Sequence, residues 1–137
     1  MGAPHSDGPG LHRSPPGVGL TMPQFLLVIF DDPAEWAKVS PAEVDRVMAT
    51  HHRMQEELQA EKKLVGCNRL SPRDAATVRV RDGKHVVSDG PFTETKEIMG
   101  GYYLIECGSR DEAIAWAKRL PLAEKRSCVE VRQLWQE

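Results

Sequence analysis

The side chain with the widest chemical reach in this chain is His51. Imidazole titrates near neutral pH, so it takes or gives a proton under ordinary conditions. Val44, Val47, Met48, His51, Met54 and Leu58 recur at helical spacing and fall in one stripe. A histidine in the middle of such a stripe is desolvated and easily perturbed. The position equally suits a buried neutral histidine with one hydrogen bond, packed like an aromatic ring. If it works chemically, His51 should border a cavity and touch a carboxylate or a polar tip, such as Asp89 or a tyrosine of a core strand. His52, on the flank of the stripe, reads as a solvated residue.

Asp89 is the candidate partner and opens Asp89-Gly90-Pro91-Phe92. Turn geometry accounts for these residue types by itself: Gly and Pro make the turn, Asp accepts backbone N–H bonds, and Phe92 anchors it. On the functional reading, the turn holds the Asp89 carboxylate at the mouth of a pocket, orienting His51. Glu94, Lys96 and Glu97 follow as a solvated loop, or as a lid hinged at Gly100-Gly101.

No metal and no cofactor is expected. Asp31, Asp32 and His51 could ligate a metal only at a spacing that fits no signature. There is no GxSxG, HExxH or GxGxxG, and Gly100-Gly101 precedes a strand rather than a helix. Cys67, Cys107 and Cys128 are odd in number and widely spaced. They read as small buried apolar residues in a reducing compartment, the cytoplasm, and not as a disulfide framework.

These side chains need elements to hold them. Gln24–Phe30 is apolar at every position from 25 to 30, the mark of a central strand covered on both faces. Asp31-Asp32-Pro33 stops it. Ser40-Pro41-Ala42-Glu43 is a capping box opening the helix of His51. Lys63–Leu70 reads as a second strand, with Gly66 a bulge. Thr77–Arg81, the two-residue turn Asp82-Gly83 and Lys84–Ser88 form a hairpin with Val78, Val80, His85 and Val87 on one face. Tyr102–Cys107 is a third core strand. Ser109-Arg110-Asp111-Glu112 caps a second helix, with Ala113, Trp116, Ala117 and Leu120 on one face and Pro121 ending it. Ser127–Arg132 closes the series.

The order is β-α-β, hairpin, β-α-β, which predicts an α+β domain over residues 22–137. Its core is a ferredoxin-like β-α-β-β-α-β sheet with the hairpin inserted. Two helices cover one face of such a sheet, yet residues 25–30, Tyr102/Leu104 and Tyr103/Ile105 supply bulk to both. A second copy of the chain is the simplest cover for the other face, with Phe25 or Leu27 facing outward, so a homodimer is expected.

Residues 1–21 are nearly half Gly or Pro and carry no hydrophobic period, so they read as a disordered extension. They lack the basic and apolar regions of a secretory signal. The chain of 137 residues is 40% hydrophobic and 28% charged, with a net charge of −2. That balance suits one globular domain and offers no basic excess for direct contact with nucleic acid. No apolar run reaches the ~20 residues of a membrane span.

Several segments together carry a resemblance. They are Asp89–Glu97, Gly100–Glu106, Asp111-Glu112-Ala113 with Trp116-Ala117, and Val129–Arg132. With the opening strand and the hairpin, they resemble the DGPF branch of the YCII-related family over residues 22–134. The resemblance implies a dimeric α/β barrel. It implies a histidine and an aspartate suggested to be catalytic, with His51 matching the histidine by its distance to Leu64. It also implies an association with sigma factors of the extracytoplasmic-function type. The first expectation is therefore a small-molecule enzyme using a His51/Asp89 acid–base pair. The second is a non-catalytic ligand- or protein-binding module linked to sigma-factor-dependent transcription. The third is a purely structural accessory dimer.

Overall fold

The computed structural model describes residues 22–91 and 97–136. The expectations for residues 1–21, Phe92, Glu94 and Lys96 lie outside the described residues.

Nine elements follow in order: β1 (Gln24–Asp31), α1 (Pro33–Trp36), α2 (Pro41–Ala60), β2 (Leu64–Arg69), β3 (Ala76–Arg81), β4 (Lys84–Asp89), β5 (Ile98–Glu106), α3 (Arg110–Ala117) and β6 (Ser127–Gln133). The domain is α+β. Four strands form one antiparallel sheet in the order β2-β5-β1-β6, and β3 pairs with β4 in a separate two-stranded sheet. β1 and β5 are central, as the doubly apolar run at 25–30 requires. The sheet is open, with β2 and β6 as edges, so no barrel closes among the described residues.

The helix starts follow from their caps. Ser40 Oγ accepts the Glu43 N–H at 3.1 Å, and Ser109 Oγ accepts the Glu112 N–H at 3.1 Å. The Glu43 carboxylate turns to Arg46 rather than back to its cap. Sequence reading missed α1. Asp32 caps it by accepting the Ala34 N–H, and Pro33 occupies the first turn, so a stop signal for β1 is also a start signal. The hairpin turn puts Asp82 and Gly83 at positive φ, 52° and 75°, as a two-residue turn of this type requires.

The core lies between one sheet face and α2 and α3. Phe25 and Leu27 are 1% and 0% exposed and pack with Met54, Leu58, Tyr103, Ile105, Ala113 and Trp116. Side chains alternate along a strand, so Leu26, Val28 and Phe30 occupy the opposite face. This corrects the expectation that Phe25 or Leu27 faces outward. Of the three free cysteines only Cys107 is fully buried. Cys128, opposite Phe30 on that other face, is exposed. The hairpin stands apart, with Val78, Val80 and Val87 61–65% exposed.

Two bulges reset the alternation. In β2 the register with β5 shifts between Leu64 and Gly66, so Leu64, Cys67 and Arg69 share the helix-facing side. In β5, Ile29 pairs with Gly101 but Phe30 pairs with Met99, leaving Gly100 as the extra residue. Gly101, Tyr103 and Ile105 face the helices on one side of that bulge, and Ile98 does so on the other.

Leu27→Ala should cost about 3 kcal/mol in chemical denaturation, since it empties a fully buried site. Val80→Ala, on the hairpin, should change stability by less than about 0.5 kcal/mol. Equal costs at the two sites would contradict this division between core and arm.

Candidate functional site

A cavity of about 640 Å³ opens between the sheet and α2, at the end of the sheet where β1 runs into α1. That volume is in the range of small-molecule sites. Its floor is made by what is missing. Arg69, Gly101 and Ile29 lie side by side across β2, β5 and β1, and the middle position has no side chain. A Cβ on Gly101 would come within 2.8 Å of the Asn68 carbonyl oxygen, so this residue also lets β2 approach. Gly100-Gly101 is therefore not the hinge of a lid. The pair sits inside β5 and forms the base of a hollow.

His51 reaches the cavity from α2 and is half-buried. Its Nδ1 lies 2.8 Å from the Tyr103 hydroxyl, and the two rings stack at 5.9 Å between centroids. The Gln55 amide donates to the same hydroxyl at 3.4 Å. Burial pushes the Tyr103 phenol above its ordinary value, against the lowering by Gln55, so the phenol keeps its proton. The phenol can donate its proton to His51 Nδ1, and in that arrangement the neutral imidazole carries its own proton on Nε2. Burial is also the main cause holding His51 below its ordinary value, with the charges of Arg69 and His52 acting in the same sense. At neutral pH the ring is uncharged.

Among the described residues, the carboxylate lining this cavity is that of Asp31, and Asp89 is not part of the lining. Asp89 ends β4, opposite Ala76 in the separate hairpin, where it is exposed. Gly90, at positive φ, gives its N–H to the Ala75 carbonyl and accepts from Thr77 Oγ1, so that segment closes the base of the hairpin. Asp31 continues the inward series Phe25, Leu27, Ile29 to the end of β1. Burial raises its carboxyl above the ordinary value, opposed by the hydrogen bond from the Trp36 indole and by the charges of Arg126 and Arg69. The Gly100 bulge makes the room: a Cβ there would overlap the Asp31 carboxylate. Sequence reading took Asp31 as a strand breaker, although its place in the alternation was a signal that it faces inward.

Asp31, Asp32 and His51 do not gather as metal ligands. Asp32 is buried and committed to capping α1, and among the described residues no three His, Cys, Asp or Glu side chains cluster to hold a metal. Cys67 lines the cavity with its thiol raised by burial, which keeps it protonated and unreactive.

Gly100→Ala should fold but displace the Asp31 carboxylate, and the Trp36 indole N–H resonance should shift in a ¹H–¹⁵N spectrum. An unmoved resonance would mean that the bulge does not seat Asp31. His51 also sets a pH dependence. Its folded value lies below the ordinary 6.5, so the unfolded chain binds more protons in that window. The stability it contributes is fully present above about pH 6.5 and is lost as pH falls through the folded value. His51→Gln should flatten this part of a melting-temperature profile.

The sequence profile of the YCII-related domain matches residues 24–137. The chain is also 38% identical over 112 residues to "Uncharacterized protein R00369" of Rhizobium meliloti (strain 1021), an alignment covering 80% of this chain and 90% of that protein. With the profile spanning every described element from β1 to β6, the chain belongs to the YCII-related domain family.

Proposed function

We propose that this protein is a small-molecule enzyme that moves a proton at a carbon next to a carbonyl group. Asp31 is the base, and neutral His51 is the hydrogen-bond donor to the developing oxyanion. The observation that carries this reading is the Tyr103–His51 hydrogen bond at 2.8 Å. With the phenol proton given to Nδ1, the neutral imidazole keeps a proton on Nε2 to donate, and Asp31 lines the same cavity. Burial drives both groups toward their uncharged forms, Asp31 upward and His51 downward. A raised carboxylate base and a neutral imidazole donor are the pairing that abstraction of a carbon-bound proton uses. In the step, Asp31 takes the C–H proton. The C–H electron pair forms a C=C bond as the carbonyl π pair moves to oxygen, and Nε2–H stabilises the enolate. Asp31 then returns the proton at the same or a conjugated carbon. Asp31 takes the role that the sequence assigned to Asp89.

The test is deuterium uptake. Carbonyl compounds that the protein binds are incubated with it in D₂O and followed by NMR. The parent chain should accelerate exchange, and Asp31→Asn and His51→Phe should each lower the rate by about 10²- to 10⁴-fold. His51→Phe keeps the ring packing. If bound compounds exchange no faster than in buffer, His51 is a core residue and the non-catalytic binding module is the better reading.

The assembly belongs to the same proposal. The sheet face away from the helices presents Leu26 opposite Leu104 and Val28 opposite Tyr102, edged by Asn68, Glu130 and Arg132. An apolar strip with a polar rim is the form of an interface. A second copy related by a two-fold axis covers it, and two ferredoxin-like sheets then make the dimeric α/β barrel. Leu26→Glu should give a monomer in light scattering where the parent is a dimer. A parent chain that is monomeric at micromolar concentration would overturn this arrangement.

A further inference from the structure

We infer that the cavity selects small organic carboxylates, with Arg69 as the residue that binds the anionic group. This rests on the reading of the Asp31/His51 cavity as the reactive site and names its substrate class.

Arg69 lies beside Gly101 on the cavity floor, and the bulge in β2 turns it to the helix side of the sheet. Arg69 is exposed and lines the cavity, so its guanidinium is open to a ligand. The other basic side chains near the core do not line the cavity, although Arg126 keeps a buried Nε without a hydrogen-bond partner. Lys63 pairs with Glu61 and Glu112, Arg119 with Glu57, and Arg126 stacks on Trp36 and approaches Glu43. Among the described residues the Arg69 side chain makes no hydrogen bond or ion pair, although its charge reaches both Asp31 and His51. A guanidinium carries five donors in a fixed fork that fits a carboxylate with two parallel bonds.

The rest of the cavity agrees with such a ligand. Trp36, Val44, Met48 and Ile98 give it an apolar wall, which suits a ring or an unsaturated chain. A ligand carboxylate on Arg69 places the body of the molecule along that wall, between Asp31 and His51. It also offsets part of the cost of bringing an anion near Asp31. A neutral analogue forgoes the paired hydrogen bonds, and a cationic analogue meets the guanidinium directly. The reverse effect follows by linkage. An anion on Arg69 cancels a charge that holds His51 down, so ligand binding raises the His51 titration.

Benzoate, benzamide and benzylammonium share a ring and differ in charge. Their affinities are measured by NMR titration against the parent chain, Arg69→Gln and Arg69→Lys. Benzoate should bind the parent at least tenfold more tightly than either analogue. Arg69→Gln should remove that preference while leaving benzamide unchanged, and Arg69→Lys should restore part of it. Bound benzoate should move the His51 titration upward in the parent but not in Arg69→Gln. Equal binding of benzoate and benzamide, unchanged benzoate affinity in Arg69→Gln, or no binding of benzoate would each overturn the inference. These outcomes separate from the catalytic reading. Charge-selective binding with no deuterium uptake keeps the anion site and removes the enzyme. Uptake with uncharged carbonyl compounds that ignores Arg69 keeps the enzyme and removes the anion site.

Discussion

The pairing of β1 with β5 is the constraint on which the rest of the structure depends. These are the two central strands, and between them they supply Phe25, Leu27, Tyr103 and Ile105 to the core. The same two strands supply Asp31, Gly100, Gly101 and Tyr103 to the cavity. The transition from core to cavity happens within one ladder. Where facing residues are large, the space against α2 and α3 is filled. Where β5 turns to two glycines and bulges, it is not. The bulge adds no new element. It inserts one residue, and that residue has no side chain to compete with the Asp31 carboxylate.

Tyr103 joins the two functions in one side chain. The residue is 2% exposed and packs in the core, while its hydroxyl hydrogen-bonds to His51 Nδ1. The site is therefore built at the margin of the packed core, where packing around Tyr103 holds its hydroxyl in place. The electrostatics follow from the same burial. One environment raises a carboxyl and depresses an imidazole, so the free energy separating their two protonation arrangements narrows.

Much of this was legible in the sequence, and the illegible parts have physical reasons. The caps at Ser40 and Ser109, the Asp82-Gly83 turn, the central position of residues 25–30 and the aim of His51 all rest on local rules, and local rules are what a sequence displays. The aspartate was read differently. Asp89 stands in a conspicuous motif, but a motif records a turn as readily as a site, and here it closes a hairpin. Asp31 was masked by its neighbours, because Asp-Asp-Pro is a stop signal whatever the first carboxylate faces. Arg69 faces the cavity because the bulge expected at Gly66 changes the parity of β2, and how a bulge shifts parity depends on the partner strand rather than on β2 alone. The two glycines were misplaced for a related reason. Gly-Gly weakens a strand by propensity, and only pairing on both sides keeps it in the sheet.

The strand order also decides when the domain becomes a domain. β1 is the first described strand to be synthesised, and its two neighbours, β5 and β6, are the last. Phe25 pairs with Ile105 on one side and Gln133 on the other, so the central strand has no partner until nearly all of the sequence exists. The α2 helix and the hairpin form from local contacts in the meantime, while an apolar segment waits. Such long-range pairing slows folding relative to a domain of the same size built on local contacts. During synthesis β1 has no strand partner until β5 exists, and its second edge stays open until Ser127–Gln133 follows.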